Sequence, residues 1–142
     1  MDNLQIYIDG VLTQAVNVTD ELPRAVIMSL FTWRRAEPDD KTDGDLKGWW
    51  GDSYPQLPGD KIGSRLWLLA REKMTEATRT RALGYAVEAL QWLTADGVAV
   101  AVDVQAERIG LDGLALGVMI SRGDADKINI RFANVWSFIN AV

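Results

Sequence analysis

The strongest constraint on the fold lies in the last third of the chain. Val98, Val100, Val102 and Val104 alternate with Ala99, Ala101, Asp103 and Gln105. Leu114, Leu116, Val118 and Ile120 form a second run of the same period, and Ile128 and Ile130 a third. Successive side chains on a strand point to opposite faces, so each run describes a strand with one buried face. Leu111-Asp112-Gly113 and the stretch from Gly123 to Asp126 supply the turns between them. A mostly antiparallel sheet follows, and the rest of the chain must cover its apolar side.

The chain also opens with strand signals. Leu4, Ile6 and Ile8 alternate with Gln5, Tyr7 and Asp9, and Asp9-Gly10 is a hairpin turn pair. Val16 and Val18 continue the alternation, which predicts a hairpin over residues 3–18. Residues 22–35 fit two patterns. Val26, Ile27, Leu30 and Phe31 make a helical stripe with Thr19 or Asp20 as cap, whereas Val26, Met28 and Leu30 alternate as in a strand. Pro23 suits a first helical turn and favours the helix.

Two helices are expected further on. The first spans Lys61 to Lys73, capped by Asp60, with Ile62, Leu66, Leu69 and Ala70 on one face. The second begins after Thr75, with Glu76 in its first turn and Leu83, Ala86, Val87, Leu90 and Leu93 as its apolar stripe. Arg79, Arg81, Glu88 and Gln91 lie off that stripe. Gly84 sits inside this helix at a cost of about 1 kcal/mol against Ala, which close packing on another backbone would justify. Asp96-Gly97 ends it, with glycine in the left-handed position. The whole reads as one α+β domain over 1–142: an N-terminal β-hairpin at 3–18, a helical core at 22–96 and a C-terminal β region at 98–142.

The stretch from Gly48 to Glu72 is the least ordinary. Trp49, Trp50 and Trp67, three of the six tryptophans, fall within it, and Pro55, Pro58 and Gly59 forbid regular structure in its middle. Two indoles between Gly48 and Gly51 need a pocket in their own fold or in a partner. Adjacent residues of an extended loop point opposite ways, so one ring is expected inward and the other outward, as a binding anchor.

Composition narrows the chemistry. The chain has 142 residues, enough for one domain with a core of its own, and neither cysteine nor histidine. Disulfides, thiolate metal sites and every Ser-His or Cys-His nucleophile pair are therefore excluded. The net charge of −5 argues against a nucleic-acid partner. The start, MDNLQIYIDG, lacks a signal peptide's basic and apolar regions, and no segment reaches bilayer-spanning length, so a soluble protein made in the cytoplasm is expected. Asp39, Asp40, Asp43 and Asp45 crowd the loop at 37–45, but not at the spacing of a calcium loop, and a solvated acidic loop is the simpler reading. Arg34, Arg35 and Arg65 are expected in ion pairs with Asp39 or Asp52, or on a partner's carboxylates.

The strings GWWGD, GSRLWLL, EALQWL and DGVA, followed by a β-rich tail, resemble the Mu-like bacteriophage baseplate protein family, that of the phage's gene product forty-six. The likeness runs roughly from Leu22 to Val118. It implies a fold related to the baseplate wedge, or sheath-initiator, proteins of contractile tails, with a helix over 22–35. It also implies a non-enzymatic structural part of the virion, assembled in the host cytoplasm. Partners would be other baseplate proteins, the tail sheath and the periphery of the tube and hub, with several copies in a ring. Sheath assembly would start by strand pairing on an open edge in the C-terminal region, Ile128 to Val142. Partner contacts are accordingly expected at Trp49, Trp50, Asp52, Arg65, Ile128, Ile130 and Trp136, with no cofactor, metal, nucleic acid or membrane. The broader wedge family carries Glu-Pro-Arg where this chain reads Thr94-Ala95-Asp96-Gly97, so that contact is not carried over.

Two other functions are weighed against this one. Related wedge proteins have been labelled lysozymes, and a muramidase would need two carboxylates, for which Glu72, Glu76, Glu88 and Glu107 are the candidates. A free-standing module that binds a peptide by strand addition is the other.

Overall fold

The computed structural model describes residues 4–33, 63–123 and 126–140. Among these residues it is an α+β fold: one five-stranded antiparallel sheet with three α-helices against it. The strands are β1 (Ile6–Ile8), β2 (Val11–Thr13), β3 (Ala101–Ile109), β4 (Gly113–Ser121) and β5 (Lys127–Phe132). The helices are α1 (Glu21–Phe31), α2 (Glu76–Ala95) and α3 (Val135–Asn140). The order across the sheet is β2-β1-β5-β4-β3.

The alternation read from the sequence sets the two faces. One row across the sheet is Ile6, Phe132, Leu116 and Ala106; the next is Ile8, Ile130, Val118 and Val104. Both rows face the helices and are wholly or largely buried in the core. Rows between them carry Tyr7, Arg131, Gly117 and Gln105, then Asn129, Met119 and Asp103, on the outer face. On the inner side α2 lies over β3 and α3 over β4. Phe31 binds α1 to the sheet and to α3 through edge-on contacts with Phe132 at 5.0 Å and Phe138 at 5.3 Å.

Several local signals act as expected. Asp9 and Gly10 take φ of 50° and 86°, the left-handed pair of a tight hairpin turn. Residues 21–31 are helical, Pro23 lying in the first turn and the helix following Asp20. The Thr75 hydroxyl accepts from the Thr78 N–H and caps α2, and Gly97 at φ 75° ends it.

Other expectations are corrected. The return strand of the first hairpin stops at Thr13, because the chain then turns through a short 3-10 stretch, Ala15–Asn17, which carries Val16 outside and returns Val18 to the core. The helix expected over 61–73 is, among the described residues, a single 3-10 turn, Leu66–Leu69. Gly63 at φ 115° precedes it and Arg71 at φ 71° follows it, so helical backbone cannot extend either way. Ser64 pairs with Trp33 instead, its N–H donating to the Thr32 carbonyl and its buried hydroxyl to the Leu30 carbonyl. Leu66 and Leu69 still bury together, since residues three apart align in a 3-10 turn. The expected cap, Asp60, lies outside the described residues.

The buried stripe of α2 is rotated from the one expected. Ala82, Ala86, Ala89, Leu90 and Leu93 face the core, and Val87 is 41% exposed. Small alanines on the buried side let the helix sit low over β3. Gly84 points outward, and a Cβ there would meet nothing within 4 Å, so close packing does not account for it. Val98 and Val100 precede β3 and are exposed, while Ala99 is buried. The Val100 N–H bonds to the Ser121 carbonyl, although Ser121 is opposite Ala101, and this offset breaks the alternation before the strand begins. The C-terminal region is not all β, because α3 follows β5. Its Trp136 is only 8% exposed.

Two substitutions test this packing by urea unfolding. Phe132→Ala is expected to cost about 3–5 kcal/mol. Gly84→Ala is expected to gain about 1 kcal/mol, since the helix gains propensity and the new methyl meets no neighbour. A loss at Gly84 would show that this face of α2 is occupied.

Candidate functional site

Of the residues expected to meet partners, those described are divided between the start of the 3-10 turn (Arg65), β5 (Ile128 and Ile130) and α3 (Trp136). Trp49, Trp50 and Asp52, with Arg34, Arg35 and the acidic loop at 37–45, lie outside the described residues. Ile128 and Ile130 are in β5, which pairs with β1 on one side and β4 on the other. β4 pairs along the whole strand and β1 along Ile130 to Phe132, so among the described residues β5 lies inside the sheet and is not the open edge expected in the C-terminal region. Trp136 packs into the core from α3. The misplacement has a physical cause. The partner strand β1 is at the other end of the chain, and nothing local to residues 128–142 announces it.

Arg65 is held from two directions. Its Nε and Nη2 donate to the two Glu88 carboxylate oxygens at 3.1 and 2.7 Å, and its guanidinium lies 5.0 Å from the centre of the Tyr85 ring. Arg81 approaches the same ring at 5.9 Å and donates to both Glu72 oxygens at 2.7 Å. The fork of guanidinium matches a carboxylate and its plane suits an aromatic face, so arginine serves both contacts where lysine would not. This chain of ion pairs ties the segment around the 3-10 turn to α2. Arg65 thus makes an intramolecular ion pair, as the sequence allowed, and its partner among the described residues is Glu88, which was expected only to lie off the apolar stripe.

The four candidate carboxylates each meet an arginine. Glu72 binds Arg81, Glu76 binds Arg79, Glu88 binds Arg65 and Glu107 binds Arg131. The Arg79 hydrogen bond holds the Glu76 carboxyl below the ordinary carboxylate range. A glycosidase's acid needs the opposite shift, a proton retained near neutrality. The folded pKa being depressed, this pair's contribution is present above the ordinary carboxylate pKa and fades as pH falls through the lowered value. Among the described residues no group of three or more acids could hold a metal ion, and no helix is long and apolar enough to cross a membrane.

Among the described residues two surfaces are open. The first is the pair of sheet edges, where β2 and β3 each pair with only one strand among the described residues. β2 is short and apolar on both faces, with Val11 68% and Leu12 60% exposed. β3 is nine residues long. Arg79 reaches the Ala106 carbonyl at 3.0 Å, and Arg108 reaches back to the Met74 carbonyl at 3.3 Å. The second is the outer face of the sheet. There β4 contributes the small residues Ala115, which is buried, and Gly117, flanked by Gln105 and Glu107 on β3 and Arg131 on β5. Glu107 and Arg131 join across these small residues at 3.1 Å.

Comparison with known proteins bears on what these surfaces meet. The family model described as "Phage protein GP46" matches residues 22–127. The chain is 47% identical over 116 residues to "Baseplate protein gp46" of Escherichia phage Mu, an alignment covering 80% of this chain and 78% of that protein. It is 38% identical over 125 residues to "Mu-like prophage FluMu protein gp46" of Haemophilus influenzae, covering 88% of this chain and 86% of the relative.

The Arg65–Glu88 contact is part-buried and doubly hydrogen-bonded, unlike a surface ion pair. A double-mutant cycle with Arg65→Met and Glu88→Gln, read by urea unfolding, should return a coupling of about 1–3 kcal/mol. A coupling near zero would show that this pair does not hold the 3-10 turn against α2.

Proposed function

The chain belongs to the phage protein GP46 family, and on that premise we propose that it is a structural component of a phage tail baseplate. The supporting observation is the 47% identity to the phage Mu baseplate protein over most of both chains. Its place is the tail of the virion and its partners are other baseplate proteins. Its work is geometric. A rigid sheet backed by three helices presents backbone edges and aromatic side chains to neighbouring chains, and no covalent bond is made or broken.

The finer reading is that the protein sits in the wedge of a contractile tail, in several copies around the tube and hub, and starts the sheath by strand pairing. The pairing edges in this reading are β2 and β3, with unpaired outer sides among the described residues. An incoming strand gains affinity from main-chain hydrogen bonds and specificity from alternate side chains. Trp49, Trp50 and Asp52 are the further proposed contacts, on the sequence argument that paired indoles between glycines serve as anchors. In this reading Ile128, Ile130 and Trp136 support the surface from within, Ile130 and Trp136 being buried and Ile128 partly buried.

The absence of cysteine permits a clean test. Single cysteines at Leu12, Gln105 and Trp50 are placed in the protein and its reactivity with a maleimide is compared between free protein and assembled particles. Leu12 and Gln105 are exposed and should react in the free protein. Protection in the particle is expected at Trp50 and at one edge position or both. Equal labelling of all three in free and assembled states would overturn the reading.

A further inference from the structure

The outer face of the sheet carries a charge pattern that intramolecular contacts use up only in part. The side chains of β3 on this face include Asp103, Gln105 and Glu107, and those of β5 are Lys127, Asn129 and Arg131. An acidic wall and a basic wall thus run side by side, with β4 as the floor between them. That floor is low: Gly117 and the buried Ala115, with Met119 the one long side chain and 37% exposed. A Cβ at Gly117 would meet nothing within 4 Å.

The register shows which charges are spent. Glu107 and Arg131 stand one row apart, on the rows of Ala115 and Gly117, and they pair. Asp103 and Lys127 stand on the rows of Met119 and Ser121, the same diagonal displaced along the sheet. They share no ion pair among the described residues. Aspartate is one methylene shorter than glutamate, and the Met119 side chain rises from the floor between them. Arg122, at the end of β4, is occupied by Asp126. Asp103 and Lys127 are both exposed.

We propose that this face binds a second copy of the chain, outer face to outer face, about a two-fold axis parallel to β4. Rotation about such an axis exchanges left and right, so it brings the acidic wall of one copy onto the basic wall of the other. Each Asp103 then falls opposite Asn129 of the other copy, between its Lys127 and Arg131, and the two Met119 side chains meet near the axis. An axis across the strands would set acid on acid and base on base, so the charge pattern selects one geometry. The interface is isologous, the commonest symmetry for a pair of identical chains. A face three strands wide, β3 to β5, and about 30 Å long buries on the order of 1,000 Å² in total, at the small end of specific interfaces. The dimer is accordingly weak, and because its charges are exposed it is weakened by salt. This inference goes beyond the baseplate reading and does not depend on it.

Sedimentation velocity of the isolated full chain, over roughly ten to several hundred micromolar at low salt, tests it. A dimer fraction should rise with concentration and fall in 1 M sodium chloride. Asp103→Lys and Lys127→Asp should each sediment as monomers, with unchanged circular dichroism because both side chains point to solvent. Mixed in equal amounts, the two variants should recover the dimer, since each supplies the charge the other lacks. Three results would overturn the proposal: a wild-type monomer throughout the range, variants that dimerise as the wild type does, or a mixture that stays monomeric.

Discussion

The pairing of β1 with β5 is the contact on which the other parts rest. It joins Ile6 to Phe132 and Ile8 to Ile130, so the first strand of the chain lies beside the last. It places β5 inside the sheet and gives Phe132 a neighbour strand on each side. The inner face then becomes one continuous apolar surface from β1 to β3, with Leu116, Val118 and Ile130 near its centre. Only a surface of that width gives α1, α2 and α3 something to cover together. Hydrogen bonds close the join at the margins, where Asn134 accepts from the Gln5 N–H and Asp9 from the Asn129 N–H.

With β5 enclosed, the unpaired sides among the described residues fall on β2 and β3. They differ in kind. β2 is a short apolar hairpin strand exposed on both faces, whereas β3 is long, charged on its outer face and overlain by α2 on its inner face. Charge along an edge discourages indiscriminate pairing and leaves room for a partner of matching sequence. A protein that works by fitting against others needs that combination of rigid support and restrained edges. The ion pairs around Tyr85 add to the support by fixing the 3-10 turn against α2.

What was legible in the sequence was local. The alternation through β4, the Asp9-Gly10 turn, the Thr75 cap and the Gly97 stop each follow from a few adjacent residues, and each is present. What was not legible depended on residues far apart in the chain. The interior position of β5 depends on β1, and the pairing of Arg65 depends on Glu88 across an intervening turn. The 3-10 turn at Leu66–Leu69 shares its apolar spacing with a helix, and only the backbone at Gly63 and Arg71 separates them. The resemblance to the baseplate family was readable from GWWGD and GSRLWLL. The first of these strings falls outside the described residues, so the geometry of the double tryptophan contributes nothing to the candidate site.

The central claim is that this chain acts by contact with other chains and that its sheet edges carry part of that contact. Electron cryo-microscopy of an intact tail containing the protein tests it most directly. The account predicts main-chain density from a neighbouring protein running along β2 or β3 at strand spacing. An intact tail in which both edges, the outer face of the sheet and the double-tryptophan segment all face solvent would contradict it.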